Sequence, residues 1–84
     1  MDRDRITIVF NDLENKRQTD IDVPLDISAN ELIVGLNRVF NLGLDTDDLS
    51  RCHLKAENPI ALLRGNKLLS EYRLRMGTII NFSR

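Results

Sequence analysis

With 84 residues, of which 42% are hydrophobic and 30% charged, the chain makes one small domain that needs nearly all of its apolar side chains for its own core. Little is left to line a deep substrate pocket, which argues against an enzyme. A formal net charge of −1 gives no overall field for gathering nucleic acid or anionic lipid, and the single cysteine, Cys52, excludes an internal disulfide and fits a reducing compartment.

The first element is a strand at Ile6-Thr7-Ile8-Val9-Phe10, β-branched and aromatic, followed by a polar turn over 11–17. Residues 18–25 alternate, with Ile21, Val23 and Leu25 on one side and Asp20 and Asp22 on the other, which describes a strand with one wet face. Pro24 cannot donate to a ladder and so marks an edge strand or its end. Ser28-Ala29-Asn30-Glu31 is a capping box. It opens a helix whose apolar stripe is Leu32, Ile33, Leu36, Val39 and Phe40, and Asn41 or Gly43 is placed to end it in a left-handed conformation. Gly35, inside the helix, costs about 1 kcal/mol relative to alanine and is expected to allow close helix–sheet packing.

An acidic connector over 45–50 follows, with Leu44 and Leu49 turned inward. Residues 52–57 alternate as a third strand, Asn58-Pro59 turns the chain, and residues 60–63 make a short fourth strand. Turns at 64–67 and at Met76-Gly77 bracket a compact connection over 68–74. Residues 78–82 close the chain as a fifth strand.

The order is ββαβββ. One amphipathic helix can cover one face of a mixed five-stranded sheet, with the strands in sequence-number order 2-1-5-3-4 and the first and last parallel at the centre. That is an α+β, β-grasp architecture, a single domain over 1–84 with its ordered core at about 5–82. The N-terminal Met1-Asp2-Arg3-Asp4-Arg5 has no apolar segment behind it, so no signal peptide is expected. The longest apolar runs are three or four residues, against the roughly 20 that a spanning helix needs. The expectation is a soluble, cytoplasmic protein without membrane insertion.

Leu69-Ser70-Glu71-Tyr72-Arg73-Leu74 resembles the turn that precedes the last strand in ubiquitin-like proteins. The resemblance implies that the Tyr72 hydroxyl bonds local backbone while Leu69 and Leu74 plug the end of the sheet. Over residues 5–82 the chain is similar to the bacterial ubiquitin-like family that includes YukD and EsaB. The features that carry this are the Asn11-Asp12 turn, the Val23-Pro24-Leu25 step, the Gly65-Asn66-Lys67-Leu68-Leu69 run into Tyr72, and the Met76-Gly77 turn. The resemblance implies an accessory or regulatory part of a type VII (WXG-type) secretion system that binds machinery proteins or substrates. The sequence stops at Phe82-Ser83-Arg84 without a terminal Gly-Gly tail, so conjugation and sulfur transfer are not expected. A ubiquitin-like modifier, a sulfur-carrier-like protein and a β-grasp scaffold outside secretion are the rival readings.

No catalytic, metal or cofactor site is expected. Cys52 and His53 are neighbours on a strand and face opposite sides, so they cannot work as a pair. Cys52 goes inward with Leu54 and Ala56, and His53 goes outward beside Arg51 and Lys55. Asp45, Asp47 and Asp48 lack the glycine and distal glutamate of a calcium loop, and Asp45 or Asp47 is read as capping a short turn. Arg64, Lys67, Arg73 and Arg75 are basic but have no stacking aromatics for nucleic acid.

The sheet face away from the helix is the surface with functional content. Asp20 and Asp22 lie at one side of it, Thr7, Val9, Ile79 and Asn81 at the centre, and Arg51, His53 and Lys55 at the other. The candidate protein-binding residues are Val9, Arg51, His53, Lys55, Ile79 and Asn81, in which apolar groups supply desolvation and charges set orientation. The expected partner is a protein, engaged by a monomer or weak homodimer.

Overall fold

The computed structural model describes residues 5–83. β1 (Arg5–Asp12) and β2 (Arg17–Pro24) form an antiparallel hairpin, and α1 (Ala29–Phe40) follows. A 3₁₀ turn at Leu49–Arg51 leads to β3 (Leu54–Glu57), β4 (Ala61–Leu63), a second 3₁₀ turn at Leu69–Tyr72, and β5 (Ile79–Phe82). The five strands form one sheet in the order β2-β1-β5-β3-β4. β1 and β5 are parallel at its centre, and the other pairs are antiparallel.

Alternation sorts the strands into two faces. Ile6, Ile8 and Phe10 of β1, Val23 of β2, Leu54 and Ala56 of β3, Leu63 of β4, and Ile80 and Phe82 of β5 are all buried under the helix. α1 covers them with Ala29, Leu32, Ile33 and Leu36, and the Phe10 and Phe40 rings meet with centroids 4.9 Å apart. The capping box forms as the sequence predicts: the Glu31 amide donates to Ser28 Oγ at 3.0 Å, and the Ser28 amide donates to Glu31 Oε1 at 2.8 Å. Asn41 ends the helix with φ 55°, in the left-handed region.

Tyr72 does what the resemblance implies. Its hydroxyl donates to the Arg64 carbonyl at 3.0 Å and accepts from the Arg64 amide at 3.3 Å. Leu69 and Leu74 are buried beside it, and Lys67 Nζ stands 4.7 Å from the centre of the Tyr72 ring.

Four local expectations are revised. β1 runs on through Asn11 and Asp12, which shortens the turn. Val39 belongs to the helical stripe by spacing but is 73% exposed. Gly35 faces outward, and a Cβ there would meet nothing within 4 Å, so it does not serve helix–sheet packing. β3 begins at Leu54 rather than Cys52, because Cys52 and His53 are extended but not yet in the ladder.

Candidate functional site

The register fixes which residues share the open face. In one row Asp20 of β2 faces Val9 of β1, Val9 faces Ile79 of β5, and Ile79 faces Glu57 of β3. In the next, Gln18 faces Asn11, Asn11 faces Asn81, Asn81 faces Lys55, and Lys55 faces Leu62 of β4. Val9 and Ile79 are half-buried side by side. The sheet therefore brings Val9, Ile79, Asn81 and Lys55 together over three adjacent strands.

Two hydrogen bonds tie the centre of this face. Asn11 Nδ2 donates to Asn81 Oδ1 at 2.8 Å, and Asn81 Nδ2 donates to Glu57 Oε2 at 2.6 Å. The second is charge-assisted and correspondingly short. Asn81 is thus held on both sides and presents a fixed amide instead of a free rotor. Beside it lies a hollow of about 430 Å³ lined by Asn11, Leu13, His53, Lys55, Glu57, Asn81 and Ser83.

His53, Lys55 and Asn81 meet in that hollow. Val9 and Ile79 form the adjacent apolar row. Arg51 does not join them on a strand: it lies in the 3₁₀ turn before β3, with its guanidinium 3.7 Å from the Asp48 carboxylate. Sequence reasoning missed Glu57, Leu13 and Leu62. Glu57 shares the parity of His53 and Lys55, and that alone was enough to find it. Leu13, 49% exposed, was hidden by reading 11–17 as an undifferentiated turn.

The acidic border is partly compensated. Arg5 Nε lies 3.2 Å from Asp22 Oδ2, and Glu57 places a carboxylate within the basic border. The remaining gradient runs from Asp20 to Lys55 and His53.

Cys52 is buried on the opposite side from His53, with its Sγ 3.7 Å from the Asp45 carbonyl. Burial first, and then the nearby Asp45 and Asp48 carboxylates, push its pKa up, so at neutral pH it is a protonated thiol and a poor nucleophile. Asp45 caps its own turn, accepting from the Asp47 amide at 3.0 Å. Among the described residues no group of three His, Cys, Asp or Glu side chains is placed to hold a metal ion. Nor is any helix among them long and apolar enough to cross a membrane.

Three solved structures share this fold at low sequence identity. A de novo designed protein based on ubiquitin matches with a TM-score of 0.67 at 20% identity, covering 95% of this chain and 88% of that one. The C-terminal ubiquitin-like domain of mouse tubulin-specific chaperone e matches with a TM-score of 0.68 at 12% identity, covering 100% and 92%. The UBL domain of Plasmodium falciparum Dsk2 matches with a TM-score of 0.61 at 12% identity, covering 94% and 99%. At such identities the likeness establishes the ubiquitin-like fold and nothing finer. No curated protein sequence matches. The sequence profile of the family described as "WXG100 protein secretion system (Wss), protein YukD" matches residues 5–81. The β-grasp sheet, the Tyr72 corner and that match over nearly the whole length agree: the chain belongs to the YukD family of the WXG100 secretion system.

Proposed function

We propose that this protein is a non-catalytic docking component of the WXG100 secretion system. It binds a machinery protein or a secreted substrate, reversibly and in the cytoplasm, through the open face of its sheet. The observation that carries this reading is the half-buried Val9–Ile79 pair lying directly beside the hollow of His53, Lys55 and Asn81. An apolar patch of that size supplies desolvation, and the polar groups around it fix orientation. Asn81 is already held by Asn11 and Glu57, so little side-chain entropy is lost when a partner bonds it. Arg51 flanks the patch from the preceding turn and contributes long-range attraction. The protein acts as a monomer or weak homodimer, and no reaction step is assigned to it.

The test is capture of the native partner by the variant Ile79→Asp with Lys55→Glu. Capture should be lost while the far-ultraviolet circular dichroism and the thermal transition stay cooperative. Lys55→Glu alone, at a solvent-exposed position, should weaken capture without touching the fold. Undiminished capture by the folded double variant would remove this face from the mechanism.

A further inference from the structure

β2 is the outer strand of the sheet, and the backbone bonds of β1 show which of its groups are free. The Val9 amide donates to Thr78 and the Thr7 carbonyl accepts from Gly77, both at 2.9 Å. Odd-numbered residues of β1 therefore turn their backbone towards β5, and Ile8 and Phe10 turn theirs towards β2. Their partners, Ile21 and Thr19, are bonded inward, since in an antiparallel pair every second opposed pair exchanges both bonds. The N–H and C=O groups of Gln18, Asp20 and Asp22 point out of the sheet. The Asp22 carbonyl accepts from Arg5 Nη2 at 3.3 Å, and among the described residues no β-strand covers the others.

The helix side of the same edge is open and apolar. A groove of about 240 Å³ lies between β2 and α1, with Ile21 and Val23 on one wall and Leu36 and Val39 on the other. Gly35 lies in it with open space where a Cβ would be. The glycine is helical, exposed and without any packing duty inside the domain, so it costs helix stability with no internal return. Val39, 73% exposed, stands one turn further on. Both oddities of α1 face the free ladder.

We propose that the β2 edge and this groove form a second binding surface, for an extended basic peptide segment that adds to the sheet as a sixth strand. Its backbone bonds Gln18 and Asp20, and alternate apolar side chains on the helix side enter the groove over Gly35. The sign of its flanking charge follows from Glu31 and Asp22, which line the groove, and from Asp20 on the outer strand, with Asp22 partly compensated by Arg5. The same carboxylates disfavour a second copy of β2 paired about Asp20, because that register would set like charges opposite each other. This surface lies at the opposite side of the sheet from His53 and Lys55, so it is independent of the docking face above.

The test is titration of the isotope-labelled protein with the capped peptide Lys-Ile-Thr-Val-Thr-Ile-Lys, followed by amide shifts. Saturable shifts should concentrate at Gln18–Asp22 and Gly35–Val39. A Glu-flanked version should bind roughly tenfold more weakly, and a version with the central Val replaced by Pro should not bind. Gly35→Leu adds a side chain over the groove where a Cβ meets nothing within 4 Å, so it should raise the thermal midpoint through better helix propensity while abolishing the response. Val39→Lys should abolish the response with the fold unchanged. Shifts elsewhere, no shifts up to about 5 mM peptide, or equal binding of the Glu-flanked peptide would overturn the proposal and leave the edge carboxylates as guards against aggregation.

Discussion

Asp12 is 1% exposed and organises the β1–β2 turn. It accepts from the Asn15 amide at 3.2 Å and from Asn15 Nδ2 at 2.8 Å, and Arg17 stands 3.8 Å away. Burial by itself raises the pKa of this carboxyl. The Asn15 bonds, the Arg17 charge and the Glu14 amide together outweigh it and bring the pKa below the ordinary value. A carboxyl depressed by folding adds stability that is complete above its unfolded pKa and is lost as pH falls through the folded one. Asp12→Asn should therefore lower stability at pH 7 by about 1–2 kcal/mol, with the gap to the native protein closing below about pH 4. Urea midpoints at neutral and acid pH check this; a gap of constant size would contradict it. The burial of Asp12 could not be read from the sequence, where it looked like one more polar turn residue. Side-chain parity fared better at Cys52 and His53, because opposite faces follow from backbone pleating alone. Val39 was misread because seven residues from Leu32 puts it on the flank of the helical stripe that faces β2, and at β2 the sheet ends.

Among the elements, α1 was the most legible, since its start is encoded by local hydrogen bonding. Ser28 and Glu31 satisfy each other's amides at 3.0 and 2.8 Å, a short-range pairing that needs no tertiary context. Ser28→Ala leaves the Glu31 amide without its acceptor and should cost about 1 kcal/mol, measured as a lower thermal or urea midpoint with the partner-binding face intact. An unchanged midpoint would mean that tertiary packing alone sets this helix terminus. β3 was less legible for a related reason. Alternation reports which way side chains point, and Cys52 and His53 do alternate. It does not report whether the backbone has reached a neighbouring strand, and here the Leu49–Arg51 turn delays the ladder to Leu54. The same turn holds Arg51 outside β3.

At the scale of the whole molecule, residues 1–50 hold five Lys/Arg against eleven Asp/Glu, and residues 51–84 hold seven against two. On the open face the sheet order puts Asp20 and Asp22 of β2 at one side and Lys55 of β3 at the other, although the two halves also mix, as where Arg51 stands 3.7 Å from Asp48. Sequence alone left that choice open, because it depends on the crossover from β4 to the central β5. A field of this kind acts on encounter more than on final affinity. The association rate with the native partner should fall several-fold between about 0.05 and 0.5 M salt, as the screening length shrinks, with a smaller change in dissociation. Stopped-flow mixing measures both, and a salt-independent association rate would refute a charge-guided encounter.

The parallel pairing of β1 with β5 carries one more implication. Within this domain the strand synthesised first has its central neighbour in the strand synthesised last, with Val9 aligned to Ile79. Until Phe82 is available, the nascent protein is two separate hairpins with a bare strand on each, joined only by a helix that lacks its floor. Such long-range closure is slow and comes late. The sheet face that carries Val9 and Ile79 is therefore complete only once β5 has docked against β1.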